Sequence, residues 1–121
     1  MLCRIGDVEV WRILEINGPF LSPEDLFPTA GLEARETIIE HVPDQLCNVT
    51  GRLILPIQGF LLKTPALVIL VDSCVGNDKT NPNTPDWHQR SDDRFMAALA
   101  AAGIGPMDID YVLCTHLHAD H

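Results

Sequence analysis

The segment Thr115-His116-Leu117-His118-Ala119-Asp120-His121 places three imidazoles and a carboxylate within six positions. It directly follows the apolar run Tyr111-Val112-Leu113-Cys114, which is typical of a strand. Histidine nitrogens and carboxylate oxygens are both zinc ligands, and a zinc ion usually takes three or four protein ligands. The pattern therefore predicts a metal site on a loop that leaves the end of a strand.

The spacing of these donors restricts how they can share a metal ion. In an extended backbone the side chains of residues 116, 118 and 120 would project to one side and that of residue 121 to the other. Either the backbone turns near Ala119, or the donors serve two ions. A pair of surface histidines is the simpler alternative, but the full pattern directly after an apolar strand is much rarer by chance.

The motif His116-x-His118-x-Asp120-His121 resembles the H-x-H-x-D-H signature of the metallo-β-lactamase fold superfamily of metallohydrolases. The resemblance implies an α/β fold, the N-terminal half of an αββα sandwich, with a mixed β-sheet and helices on its outer face. It also implies that His116 and His118 bind one zinc ion and that Asp120 and His121 bind a second. Since the family's further ligands lie downstream, we expect residues 1–121 to form the N-terminal part of a single domain.

Two extended runs precede the motif and predict a hairpin. Leu67-Val68-Ile69-Leu70-Val71 is continuous and rich in β-branched residues, which is typical of a strand buried on both faces. Residues 52–63 form the second run, in which Pro56 and Gly59 indicate an edge, a bend or a bulge. The intervening Thr64-Pro65-Ala66 reads as a tight turn.

Asp72 stands where the second of these strands ends. The stretch Asp72-Ser73-Cys74-Val75-Gly76 resembles the superfamily's D-[TS]-G segment, although Cys74-Val75 precedes the glycine. The resemblance implies that Asp72 supports the metal loop from behind its ligands, because such carboxylates orient ligating imidazoles and fix their tautomer. Alternatively, Asp72 only caps the strand end by bonding nearby amides.

The remaining elements are predicted from periodicity and capping signals. Residues 7–16 alternate as a strand, and Ser22-Pro23 opens a short helix that Pro28 ends. Residues 32–42 have helical spacing, but some of them are β-branched, so a strand is an alternative interpretation of this segment. Residues 91–103 form the clearest helix, with Ser91 as the expected cap and a core-facing stripe of Phe95, Leu99 and Ala102.

The order strand, helix, strand predicts that residues 111–114 run parallel to residues 67–71. The metal loop would then leave the carboxyl end of its strand, where α/β sheets usually bind ligands. Residues 76–88 are a loop, and its Gly76-Asn77-Asp78-Lys79 resembles a superfamily group that includes quorum-quenching lactonases. Trp87 and His88 either line the substrate mouth or pin this loop, and we favour the second role.

Composition excludes several classes of function. The formal net charge is −9 with only 8 Lys and Arg, which argues against binding nucleic acid. No apolar stretch is long enough to span a membrane and no signal peptide is visible, so we expect a cytoplasmic protein. The four cysteines include no C-x-x-C pair and are expected to be reduced core residues.

The resemblance implies a zinc-dependent hydrolase, with two ions per complete site, that acts on a small molecule with a lactone, ester or related bond. The nucleophile would be a hydroxide generated by the metal. Asp120 would be both ligand and catalytic residue, and no organic cofactor is required. An iron-binding oxidoreductase on the same scaffold is the main alternative, and an inactive metal-binding fragment is a third. A homodimer is left open.

We expect the isolated 121-residue chain to have little hydrolytic activity, because the family needs ligands that lie beyond His121. The measurement is ester and lactone hydrolysis by this chain beside a longer chain that carries the downstream residues. Comparable turnover by the two would contradict the expectation.

Overall fold

A computed structural model describes residues 1–121 of the chain. The strands are β1 Cys3–Ile5, β2 Val8–Pro19, β3 Ile54–Lys63, β4 Val68–Val71 and β5 Tyr111–Leu113. The helices are α1 Pro23–Leu26, α2 Gly31–His41 and α3 Arg94–Ala101, with 3₁₀ turns at Pro43–Gln45 and Pro106–Asp108. The five strands form one mixed sheet in the order β1-β2-β3-β4-β5.

The strand pairings confirm the predicted hairpin and the predicted parallel strand. β3 pairs antiparallel with β4, with Phe60 opposite Val71. The turn between them closes with a hydrogen bond from the Thr64 amide to the Leu67 carbonyl at 2.8 Å. β5 lies parallel to β4, with Val71 opposite Leu113. The carboxyl ends of β4 and β5 therefore meet at the same edge of the sheet.

The chain divides into two compact units, and the first consists of Met1–Glu15 and Ile57–His121. Its core joins the sheet to α3 through residues that are at most 9% exposed: Ile13, Leu61, Leu70, Leu99, Ala102 and Ile104. Phe95 packs against this cluster, so the predicted stripe on the helix is confirmed. Burial of this apolar surface fixes the helix on the strands that lead to the motif.

The second unit, Ile16–Pro56, contains the two shorter α-helices. The Ser22 side chain accepts a hydrogen bond from the Asp25 amide at 3.1 Å, which confirms the predicted N-cap. The predicted second element is a helix rather than a strand. Arg35 links the two helices by donating to Glu24 at 2.8 and 3.0 Å, and these bonds lower the pKa of Glu24 to about 2.

Two details of the predicted elements are wrong. α3 begins at Arg94 and not after Ser91: its N-cap is Asp93, and the Asp92 side chain accepts the Arg94 amide at 3.1 Å. In β4, only Leu70 is fully buried and its neighbours are half-buried, so the strand is not covered on both faces. A continuous apolar run does not by itself reveal how completely each face is covered.

The expectation that all four cysteines lie in the core is also wrong. Cys74 is buried, but Cys3 and Cys114 are exposed and Cys47 is half-buried. Cys114 follows β5, an edge strand whose residues Tyr111–Leu113 are all exposed. None of the helices combines the length and the apolarity needed to cross a bilayer.

Gly59 lies in β3 where the backbone that leads out of β4 approaches closely. A Cβ at this position would lie 2.2 Å from the Asp72 carbonyl oxygen and 2.9 Å from that of Val71. Real Cβ atoms do not come this close to backbone oxygens, so only glycine fits here. The absence of a side chain at Gly59 thus makes room for the turn at Asp72.

We expect Gly59→Ala to lower the free energy of unfolding by about 3 kcal/mol, because the methyl group meets backbone that cannot rotate away. Gly18→Ala is the matched control, since a Cβ at Gly18 has no heavy atom within 4 Å. Urea unfolding of the full chain measures both. Equal stability of the two variants would contradict the close approach.

Candidate metal centre

The predicted metal loop begins at the edge of the sheet where β4 and β5 end together. Their pairing continues for one more hydrogen bond, from the Asp72 amide to the Leu113 carbonyl at 2.8 Å. Asp72 then turns sharply, with a φ of 63°, and Cys74 does the same with a φ of 61°. Positive φ is uncommon outside glycine but is tolerated best by Asp and Asn. The turn aims the Asp72 carboxylate at the loop that follows β5.

The Asp72 carboxylate binds both ends of the motif loop. Its Oδ1 accepts the Thr115 amide and its Oδ2 accepts the Thr115 hydroxyl, each at 2.8 Å. The same Oδ2 lies 3.0 Å from His121 Nδ1. Residues 115 and 121, which open and close the segment, are therefore fixed by one side chain, and Asp72 is more than a cap on its own strand.

Asp72 is only 5% exposed, so its charge depends on these partners. Burial raises the pKa of the carboxyl, but the hydrogen bonds from Thr115 and His121 outweigh burial and hold the pKa below its ordinary value. Because an ionised carboxylate can only accept, His121 Nδ1 carries the proton in this contact. In the neutral imidazole the lone pair is then on Nε2, on the far side of the ring.

The three imidazoles of the motif lie against each other. His116 Nε2 is 3.0 Å from His118 Nδ1, and these ring centroids are 4.6 Å apart. The His116 and His121 centroids are 3.9 Å apart. The His121 amide donates to the His118 carbonyl at 3.2 Å, so the backbone does turn around Ala119. The turn brings together donors that an extended strand would separate.

Asp120 completes the group through its contact with His121. Asp120 Oδ2 lies 3.4 Å from His121 Nε2, the nitrogen that Asp72 leaves without a proton. Two ligands of one tetrahedral zinc ion are about 3.3 Å apart, given zinc–ligand distances of ~2.0–2.1 Å. The separations of 3.0 Å in the His116/His118 pair and 3.4 Å in the Asp120/His121 pair are close to this value.

The donor atoms approach each other in pairs, His116 with His118 and Asp120 with His121, although all three imidazole rings are in contact. No group of three or more His, Cys, Asp or Glu side chains is arranged so that it could hold a metal ion. Because a zinc ion usually takes three or four protein ligands, each pair would supply only part of a coordination shell. The donor chemistry fits zinc, and the assignment of these four residues as ligands stays a prediction.

An open cavity of about 460 Å³ lies beside His118 and His121. The segment after Asp72 forms another part of its wall, including Ser73, Cys74 and Gly76. Burial, helped by the negative charges of Glu15 and Asp72, raises the pKa of the Cys74 thiol to about 12. A thiol is a nucleophile only when it is deprotonated, so Cys74 lines the cavity as a neutral group.

Sequence reasoning missed a buried ion pair that fixes this wall. Glu15, 3% exposed, accepts the amides of Val75 and Gly76, each at 2.9 Å. Arg90 Nη1 lies 3.3 Å from Glu15 Oε1, and Arg90 Nη2 donates to Asp92 at 2.6 Å. A carboxylate in the apolar part of β2 was the available signal, because charges are rarely buried unless they are paired.

Trp87 and His88 lie in the loop that follows the cavity wall, and their contacts distinguish the two roles considered for them. Trp87 is buried, and His88 Nδ1 accepts the Asn81 amide at 3.0 Å. Neither residue lines the cavity beside the motif. The favoured interpretation, that they pin the loop, is therefore confirmed.

Comparison with protein families gives one match of more than half the chain. Residues 56–121 match the family model described as the metallo-beta-lactamase superfamily. This span contains β4, Asp72, β5 and the whole histidine motif. Among curated proteins, none matches the sequence significantly.

Solved structures with the same fold cover 98% of the chain. A probable metal-dependent hydrolase from Staphylococcus aureus has 24% identity and a TM-score of 0.74, and the match covers 41% of that protein. The hydrolase AbOPH of the beta-lactamase superfamily has 26% identity and a TM-score of 0.73, with 36% covered. The dizinc quorum-quenching lactonase AidC has 18% identity and a TM-score of 0.73, with 36% covered. The chain thus spans about two fifths of the length of these proteins and has their fold.

We expect Asp72→Ala to lower the free energy of unfolding by about 2–4 kcal/mol, because hydrogen bonds to a charged group each contribute ~1.5–3 kcal/mol and the Thr115 amide loses its partner. Asp86→Ala, at an exposed aspartate of the loop, is the control. Urea unfolding of the full chain measures the difference. If the two variants were equally stable, Asp72 would not hold the motif loop.

Proposed function

The chain belongs to the metallo-β-lactamase superfamily, and from this premise we propose that it carries part of the catalytic site of a zinc-dependent hydrolase. The proposed substrates are small molecules with a lactone, ester or related bond. The observation that carries the proposal is the proximity of four side chains of the kinds that bind zinc, on a loop that one buried carboxylate, Asp72, holds at both ends.

In the proposed site, His116 and His118 hold one zinc ion, and Asp120 and His121 hold the second. Zinc, when bound, lowers the pKa of water from 15.7 to about 7 and so supplies a hydroxide nucleophile at neutral pH. Each ion needs further ligands, since the chain offers only two donors for each. Ligands from sequence beyond His121 would complete both shells.

The chain's own side chains have distinct tasks in this proposal. Asp72 keeps the His121 proton on Nδ1, so that Nε2 is free to bind the metal. Asp120, besides binding, would accept a proton from the attacking water and pass it to the leaving oxygen of the substrate. The neutral Cys74 thiol takes no nucleophilic part, which is consistent with water as the attacking group.

The cavity beside His118 and His121 is the proposed place for the substrate. Its volume of about 460 Å³ falls within the range of roughly 300–1,000 Å³ that is usual for small-molecule sites. Likeness to the dizinc lactonase AidC supports the choice of a lactone or ester, and the loop Gly76-Asn77-Asp78-Lys79 is the sequence feature that favours this group.

We expect His116→Ala and Asp120→Ala to lose at least about half of the bound zinc in the full-length protein, because each variant removes a donor of one of the two proposed ions. Elemental analysis of the purified protein measures zinc and iron together. His41→Ala, which removes an imidazole in α2, is the control and should retain the metal.

Unchanged zinc in both motif variants would refute the assignment of the ligands. Stoichiometric iron with visible absorption, in place of zinc, would favour an oxidoreductase on the same scaffold.

A further inference from the structure

The cavity beside His118 and His121 differs in charge from the rest of the chain. The chain contains 17 Asp and Glu residues and has a formal net charge of −9. None of these carboxylates lines the cavity, and Lys79 is the only lining residue with a permanent charge. A negatively charged group that enters the cavity would therefore meet a cation at Lys79 and no Asp or Glu side chain in the lining.

The Lys79 ammonium has no ion-pair partner, unlike half of the Lys and Arg side chains of the chain. Arg4, Arg35 and Arg90 each form an ion pair with a glutamate. No hydrogen bond or ion pair engages Lys79 Nζ, and the residue is exposed at the cavity. Its charge is therefore available to a ligand without first breaking a contact within the protein.

The Lys79 side chain lies close to Gly76 in the wall of the cavity. A Cβ at Gly76 would lie 3.7 Å from Lys79 Cε, so the alkyl chain passes over the glycine. Gly76 has a φ of 73° and its amide is bound by Glu15 at 2.9 Å. The Gly76 backbone beside the lysine side chain is thus held in place by the buried Glu15 carboxylate.

The backbone of Lys79 is also held in place. Its carbonyl accepts the Gln89 amide at 2.8 Å, and the preceding Asp78 amide donates to the Arg90 carbonyl at 2.8 Å. Arg90 is itself fixed by its ion pairs with Glu15 and Asp92. Because the backbone is anchored, only the flexible alkyl chain has to be ordered when an anion binds.

We propose that Lys79 is a specificity-determining residue that binds an anionic group of the substrate, so that the preferred substrate is an ester or lactone carrying a carboxylate near the scissile bond. This inference rests on the proposed function, since the motif would act on the scissile carbonyl while Lys79 holds the anion.

The reaction is a hydrolysis that needs only water. The bond between the acyl carbon and the alkoxy oxygen breaks, and a bond from the acyl carbon to the water oxygen forms. One water proton goes to the leaving oxygen, and no group is oxidised or reduced. The substrate carboxylate at Lys79 takes no part in bond making, so Lys79 affects binding more than the chemical step.

The test compares two esters that differ in charge, 4-nitrophenyl hemisuccinate and 4-nitrophenyl butyrate, with the full-length zinc-loaded protein. We expect Lys79→Ala to raise KM for the hemisuccinate about five- to twentyfold, as a single partly solvated ion pair would. KM for the butyrate and kcat for both esters should change less than about twofold, and Lys79→Arg should restore hemisuccinate binding.

Lys63→Ala is the control, because it removes the same charge outside this cavity. Equal effects of Lys79→Ala on both esters, or an equal effect of Lys63→Ala on the hemisuccinate, would overturn the proposal.

Succinate binding, measured by NMR titration of the same proteins, tests Lys79 without any turnover. A five- to twentyfold weaker affinity in Lys79→Ala than in the wild type and Lys63→Ala supports the proposal, and equal affinities overturn it. If the wild type hydrolyses neither ester, the proposed hydrolysis of such esters is contradicted. The succinate affinities still decide whether Lys79 binds an anionic group.

Discussion

The arrangement of the site depends on the Asp72 carboxylate, which lies almost fully buried at the junction of two parallel strands. It satisfies the Thr115 amide and hydroxyl and contacts His121, and so it closes the motif loop at both ends. A buried charge without such partners would cost several kcal/mol, roughly. The hydrogen bonds that keep Asp72 ionised therefore also fix the motif loop. The ionised carboxylate and the loop conformation each depend on the other.

Two features far away in the sequence make this turn possible. Gly59 leaves space for the carbonyl groups at the end of β4, and Glu15 binds the amides that follow Cys74. The segment that follows β4 has two residues at positive φ, Asp72 and Cys74. The surrounding contacts have to maintain this uncommon conformation. The site thus rests on β2 and β3 as much as on the strands that carry its residues.

The charged groups around the motif are distributed unevenly between the loop and the cavity. Carboxylates lie behind and within the loop, where Asp72 and Asp120 contact His121. The cavity in front contains Lys79, imidazoles and neutral groups, among them a thiol that burial keeps protonated. Cations would be favoured near the loop, and Lys79 offers the cavity a partner for an anionic group.

The sequence alone determined the strands β2 to β5, the packing helix, the family and the grouping of His116, His118, Asp120 and His121, because periodicity and a dense local motif act over short distances, whereas β1 was not predicted. Only the tertiary structure decided how far each strand is buried, that Cys114 is exposed, and that Glu15, Arg90 and Lys79 belong to the neighbourhood of the motif. The contacts of Glu15 with Val75, Gly76 and Arg90 join residues at least 60 positions apart. The choice among such distant partners is made by packing and charge pairing, which no local pattern records.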